Sequence, residues 1–261
     1  MNEPAIEARF LAALGMAHEA GALAMSYFEN AGKLDVSMKG EQDWLTAADG
    51  AVEAFLRERI AAAFPGDGVK GEEMGGGDAE NLWIIDPIDG TANFARAHPF
   101  WCISIGFLRK GVPEIGVIAA PAMGETYAAR RGYGATRNGR PIAVSSIEDL
   151  GKAAVEVGWS ARRRAAGYQA LVKAVMDAGA APKRCGSGSL GLAFVADGRS
   201  EGYLELHINS WDVAAGLVIV KEAGGVTNDF FAGEGLMEGA PILAAPPALA
   251  GALSSLSGIA L

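Results

Sequence analysis

Two aspartates three residues apart, Asp86 and Asp89, close an apolar run in the stretch WIIDPIDGTANF, residues 83–94. Leu82 to Ile85 are continuously apolar, as in a buried strand, and the carboxylates follow at once around Pro87. Two converging carboxylates repel each other unless a positive charge sits between them. The next residues, Gly90 and Thr91, add a different capability. Glycine lets the backbone approach a ligand, exposed amides at a helix start form a nest for an anion, and a threonine hydroxyl orients water or contacts phosphate. Carboxylates for a cation beside amides for an anion are what a phosphate ester bound through Mg²⁺ requires.

Further acids in the chain each have a bland reading when taken alone. Glu72-Glu73 could be a solvated turn, and Asp49 and Asp212 could be first-turn acids serving helix starts. Asp212 differs in that Trp211 precedes it and VAAGLVIV follows, so its helix end is expected to be buried and its charge to need a partner. Other motifs are set aside. GSGSLG at 186–191 matches a dinucleotide fingerprint, but AAPKRC before it is a poor central strand, so a tight turn feeding a helix is expected. There is no P-loop motif. His18, His98 and His207 have no neighbour at zinc-ligand spacing and read as structural. Cys102 and Cys185 are too few for a disulfide framework.

The elements that must position these acids follow from periodicity. Ile6, Phe10, Leu14, Ala17, Gly21, Ala24 and Phe28 mark a long amphipathic helix. Thr46 with Asp49 reads as a capping pair before the stripe Val52, Phe55, Leu56, Ile60 and Ala63, and Pro65-Gly66 ends that helix. CISIGFLRKGVPEIGVIAA reads as an antiparallel pair joined at Lys110-Gly111. After about residue 145 strands alternate with helices, so a soft boundary divides an α+β half, 1–145, from an α/β half, 146–261. The stretch 240–261 is apolar but broken by prolines, glycines and serines, and reads as a docked terminal helix. A net charge of −9 argues against a basic field for nucleic acid and suits an acid cluster neutralised by a divalent cation. No signal-like segment opens the chain, so the cytoplasm is the expected location.

With WDVAAGLVIVKEAGG, GEE and DWLTAADGAVE alongside it, the 83–94 motif resembles the inositol monophosphatases over nearly the whole chain. These belong to the Mg²⁺-dependent, lithium-sensitive phosphatases that include the fructose-1,6-bisphosphatases. The resemblance implies a layered αβαβα sandwich, usually a homodimer, binding two or three Mg²⁺ ions and acting on a small phosphate monoester. It implies Glu72, Asp86, Asp89, Asp212 and the carbonyl of Ile88 as metal ligands, and Gly90 and Thr91 as phosphate ligands. Thr91 and Asp49, with Glu72, would activate the attacking water, and Lys39 matches a loop lysine near the metals. Glu205 stands where an acid reads substrate hydroxyls, although an outward-facing position on an alternating strand would also explain it. Asn209, Gly188 and Trp159 or Ser160 occupy substrate positions where the animal enzymes carry other residues, so myo-inositol itself is not fixed. Inositol-1-phosphate or a similar polyol or sugar phosphate is the expected substrate. Histidinol phosphate and fructose-1,6-bisphosphate are the alternatives, and a non-catalytic regulatory partner on the same scaffold is the rival from another class.

Overall fold

The computed structural model describes residues 3–29, 36–40, 43–77, 79–160 and 163–261, and the side chains of 36–40 and 43–45 fall outside what is described. Helix α1 (Glu3–Phe28) turns Ala13, Ala17, Ala20, Gly21 and Ala24 inward. These small residues let it lie close on a sheet. A hairpin of β1 (Val36–Gly40) and β2 (Asp43–Thr46) leads into α2 (Ala47–Ala63). Thr46 and Asp49 form the expected reciprocal capping box; of the expected stripe Val52, Leu56 and Ile60 are buried and Phe55 is half-buried, whereas Ala63, at the helix end, is exposed.

A seven-stranded sheet follows, in the order β3 (Gly68–Gly71), β4 (Asn81–Asp89), β5 (Cys102–Arg109), β6 (Val112–Ala120), β7 (Glu125–Arg130), β8 (Ala135–Arg137) and β9 (Arg140–Pro141). Only β3 and β4 are parallel; the rest is an antiparallel meander, including the expected β5–β6 pair. The short α3 (Thr91–Ala95) leaves the end of β4. A second sheet has the order β11 (Ala181–Lys183), β10 (Ala154–Val157), β12 (Gly202–Ile208), β14 (Ala240–Ala245) and β13 (Val226–Thr227). Around it lie α4 (Ala165–Asp177), α5 (Gly188–Ala196), α6 (Ser210–Glu222), the one-turn α7 (Gly235–Glu238) and α8 (Pro247–Ser257). The terminal segment thus differs from its expectation in one respect. Its first third is strand β14, whose apolar run is buried beside β12, and only its later part is a helix.

The layers are set by which faces are apolar. α1 and α2 bury their stripes against Trp83, Ile85, Ile103, Ile105 and Val117 on one face of the large sheet. α5 and α6 fill the space between the two sheets, and α4 and α8 cover the outer face of the small one. Helix, sheet, helix, sheet, helix is the predicted αβαβα sandwich.

The central helix α6 approaches the large sheet where two glycines are cross-strand partners, Gly106 on β5 and Gly116 on β6. A Cβ on Gly116 would stand 2.2 Å from the carbonyl oxygen of Ala215, and one on Gly106 would stand 2.7 Å from the Ala214 Cβ. No side chain fits there while α6 keeps its height. Gly116→Ala is therefore expected to cost about 1–3 kcal/mol or more through overpacking, read as a lower denaturant midpoint at unchanged slope.

Candidate active site

In a regular strand, side chains three apart point to opposite faces, so Asp86 and Asp89 could not share a site. β4 resolves this with a bulge. Asp86 is paired with Ser104 and Asp89 with Cys102, so three steps on β4 oppose two on β5. The extra residue returns both carboxylates to one face. Pro87, which has no amide to offer a ladder, sits inside the interruption. The third acid arrives from the central layer. Asp212 is the third residue of α6, and its Oδ2 accepts the Asn209 amide at 3.1 Å in a capping box. The bland reading of Asp212 is thus correct as far as it goes, yet the same carboxylate also joins the two on β4. Asp86, Asp89 and Asp212 each place one carboxylate oxygen within 4.8 Å of the others.

The triad is held by contacts of unequal completeness. Asp86 Oδ1 accepts the Ile88 amide at 3.0 Å, whereas its Oδ2 is buried with no hydrogen-bond partner among the described residues. Asp89 is gripped by the start of α5. Its Oδ2 accepts the Ser187 hydroxyl at 2.8 Å and the Ser189 amide at 2.6 Å, and its Oδ1 accepts the Gly188 amide at 3.2 Å. Burial, then the neighbouring charges of Glu72, Asp89, Asp212 and Asp49, push the Asp86 carboxyl well above its ordinary value. Burial followed by Asp89, Glu72 and Glu205 does the same for Asp212. Burial raises Asp89 too, against the hydrogen bonds from Ser187, Ser189 and Gly188. Three carboxylates at this spacing and an unmatched buried oxygen fit a hard divalent cation, the Mg²⁺ expected for such a donor set.

That fit has a measurable consequence. Acids whose native values are raised stabilise the fold fully below the ordinary value of 3.8, and that stability is lost as pH rises through the native values. The melting temperature of metal-free protein should fall as pH rises, and Mg²⁺ should restore it at about pH 8 but not at about pH 4, where the ligands are protonated. Scanning calorimetry with and without Mg²⁺ reads this directly.

Beside the triad stands a second group. The Thr91 hydroxyl lies 3.1 Å from Asp49 Oδ1 and 3.0 Å from the Ile88 carbonyl oxygen, and its single proton can serve one of them at a time. Asp49 is buried and fixed through Oδ2, which accepts the Thr46 hydroxyl at 2.6 Å and the Thr46 amide at 2.8 Å. Gly90 takes φ 99°, and a Cβ there would be 2.8 Å from the Phe100 carbonyl oxygen, so glycine alone suits the turn that presents Thr91.

A cleft of about 680 Å³ opens between the two sheets over these groups, large enough for an organic phosphate rather than phosphate alone. Glu72, Asp89, Gly90, Thr91, Ser160, Gly188, Glu205, Asn209 and Asp212 all line it. Asp86, Ile88 and Asp49 adjoin it, buried beside Asp89, Asp212 and Thr91. Glu72 lies on the wall near enough for its charge to raise Asp86 and Asp212, but it is not among the three acids gathered within 4.8 Å. Lys39 is on β1, where side chains fall outside the described residues. The outward-facing reading of Glu205 does not hold, since it is buried in the cleft and its Oε2 accepts the Tyr203 hydroxyl at 2.7 Å. Asn209 is the N-cap of α6, where its backbone amide donates to Asp212 Oδ2. His98, expected to be structural, is exposed on the cleft rim, whereas His207 pairs with the Glu238 carbonyl oxygen at 2.9 Å.

Sequence reasoning missed Ser187 and Ser189. They belong to the turn correctly read as feeding a helix, but their grip on Asp89 spans about a hundred residues of chain. Arg184, Glu156 and Tyr203 also line the cleft without having been singled out.

Comparison with known proteins agrees with this geometry. The profile of the inositol monophosphatase family matches residues 7–258. A protein of Xylella fastidiosa named Nus factor SuhB is 36% identical over 233 residues, covering 88% of this chain and 83% of its own. The inositol-1-monophosphatase of Mesorhizobium japonicum is 36% identical over 216 residues, covering 81% of each. Among solved structures, the extragenic suppressor protein suhB of Bartonella henselae superposes with a TM-score of 0.88 at 30% identity, covering 96% of this chain and 98% of that one. Among the described residues no helix is long and apolar enough to cross a membrane. The chain therefore belongs to the inositol monophosphatase family, and family membership together with the buried acid triad makes it an enzyme of the Mg²⁺-dependent phosphomonoesterase class that acts on polyol or sugar phosphates.

Proposed function

We propose that this enzyme hydrolyses inositol-1-phosphate or a closely similar polyol or sugar phosphate, in the cytoplasm, as a homodimer inhibited by Li⁺. Asp86, Asp89, Asp212, Glu72 and the Ile88 carbonyl would hold two or three Mg²⁺ ions. When bound, the metal neutralises charge on the phosphoryl group and makes water a stronger acid. The chain's own groups do the rest. Gly90 and Thr91 would seat the phosphate. Asp49 Oδ1, fixed through its other oxygen by Thr46, accepts the Thr91 hydroxyl proton, which leaves a lone pair of Thr91 Oγ1 to accept a hydrogen bond from the attacking water. Glu205, Gly188, Ser160 and Asn209 line the far wall, where Glu205 would accept hydroxyl donors of the substrate. In this reading residues 1–145 supply most of the metal and phosphate ligands, 146–261 supply Asp212 and the substrate side, and the two work as one catalytic unit.

The observation that carries the proposal is the unmatched, buried Asp86 Oδ2 within a carboxylate triad beside the Thr91–Asp49 pair. The test is kcat/KM with Mg²⁺ on inositol-1-phosphate, glycerol-2-phosphate, histidinol phosphate, fructose-1,6-bisphosphate and phosphoadenosine phosphate. A polyol monoester should lead. A lead of about tenfold or more, about 1.4 kcal/mol, for histidinol phosphate or fructose-1,6-bisphosphate would replace it as the substrate class. A second reading is favoured by the relative named Nus factor SuhB: the same scaffold serving as a protein partner. Folded protein that releases phosphate from none of these esters would shift the assignment to that role.

A further inference from the structure

One buried carboxylate on α2 takes no part in the chemistry above. Glu53 lies one turn beyond Asp49 on the same helix and is fully buried. Its Oε2 accepts the Glu73 amide at 2.7 Å and its Oε1 accepts the Met74 amide at 3.0 Å. Those are the two residues that follow Glu72. A carboxylate can do this because it has two acceptor oxygens and, when ionised, no donor to clash with the amides. The backbone meets it closely: a Cβ on Gly71 would stand 2.3 Å from Oε1, so the residue before Glu72 is pressed against the same side chain.

Arg57, four residues further along α2, completes the arrangement. Its Nε donates to Glu53 Oε1 at 2.8 Å, its Nη1 lies 3.5 Å from the Val69 carbonyl oxygen, and its Nη2 donates to the Gly75 carbonyl. The turn closes on itself through the Gly71 amide and the Gly75 carbonyl oxygen at 2.9 Å. The backbone on both sides of Glu72 is thus tied to α2, by donors and acceptors in a buried, charge-paired contact. The same helix fixes Asp49 against Thr91.

We infer that Glu53 is a positioning residue: with Arg57 it clamps the 71–75 turn so that Glu72 meets the metal site at a fixed place relative to Thr91 and Asp49. The inference rests on the assignment of Glu72 as a metal ligand. Groups that orient ligands from behind typically contribute 10- to 100-fold to metal affinity. Removing the Glu53 charge leaves an amide whose single oxygen can accept from only one of the two backbone donors, and it removes the ion pair with Arg57.

The test is calorimetric titration of Mn²⁺ and Mg²⁺ into metal-free protein, with no substrate present, for wild type, Glu53→Gln, Glu72→Gln and the double substitution. Glu53→Gln should weaken metal binding by about 10- to 100-fold, and the double substitution should bind no more weakly than Glu72→Gln alone, because both act through one ligand. In steady-state assays kcat should recover at high Mg²⁺ while the Mg²⁺ requirement shifts. Unchanged affinity in folded Glu53→Gln, or a loss that adds fully to that of Glu72→Gln, overturns the inference while leaving the metal role of Glu72 intact. If Glu72→Gln itself does not weaken binding, its assignment as a ligand fails and the inference falls with it. Should Glu53→Gln not fold, Arg57→Met carries the same test: weaker metal binding in folded protein supports the clamp, and unchanged binding overturns it.

Discussion

Asp86→Asn is expected to remove more than about 100-fold of kcat/KM while leaving the fold intact, a loss exceeding that of a group acting from behind a ligand. The asparagine keeps the one hydrogen bond that the carboxylate accepts among the described residues, because its Oδ1 can still accept the Ile88 amide. What disappears is the buried oxygen with no hydrogen-bond partner among the described residues and the charge that four neighbouring acids oppose. Metal-free Asp86→Asn should therefore melt no lower than wild type, since a repulsion has been relieved. It should also lose the stabilisation that Mg²⁺ gives wild type. Activity and melting temperature thus move apart, as a site built for a cation requires and a structural aspartate does not. A variant within about threefold of wild-type kcat/KM would remove Asp86 from the metal site.

Thr91→Val should lower kcat by about 10²- to 10⁴-fold, the range for loss of a positioned proton-transfer group. Valine keeps the branched shape at the start of α3 and removes only the hydroxyl that reaches Asp49 Oδ1 and the Ile88 carbonyl. The Mg²⁺ requirement should shift far less than in Asp86→Asn, because among the described residues the hydroxyl bonds to the Ile88 carbonyl but to none of the triad carboxylates. Thr91→Ser, which restores the hydroxyl on a similar backbone, should recover most of the rate. If Thr91→Val retains near wild-type kcat, the Thr91–Asp49 pair does not manage the proton of the attacking water.

Much of the site was legible because local chemistry announces it. The apolar run before Asp86, the glycine at 90 and the cap at Thr46 each describe a short-range event, and the structure contains all three. The bulge in β4 was legible in principle, for a proline inside an apolar strand marks the place where a ladder must break. Without it, a strict strand would send Asp86 and Asp89 to opposite faces. The grip of Ser187 and Ser189 on Asp89 had no such signal. It depends on how α5 docks between two sheets, and nothing in GSGSLG records its partner on β4. Glu53 was hidden for a similar reason: on a helix rich in Glu and Arg, a buried acid looks like any exposed one until the 71–75 turn is seen to fold over it. Glu205 was ambiguous because strand alternation stops being informative where a sheet faces a cleft between two layers rather than water. β12 is also bulged between Glu205 and Ile208, which upsets a simple count of faces.

The most direct measurement is phosphate release from inositol-1-phosphate and glycerol-2-phosphate by the purified protein, first with EDTA and then with Mg²⁺ restored in excess. No release with EDTA and full recovery with Mg²⁺ is the expected result, since the carboxylates of Asp86, Asp89 and Asp212 then have the cation that their burial demands. Equal release in both conditions would contradict the central claim that these three acids exist to hold a metal at the reacting phosphate.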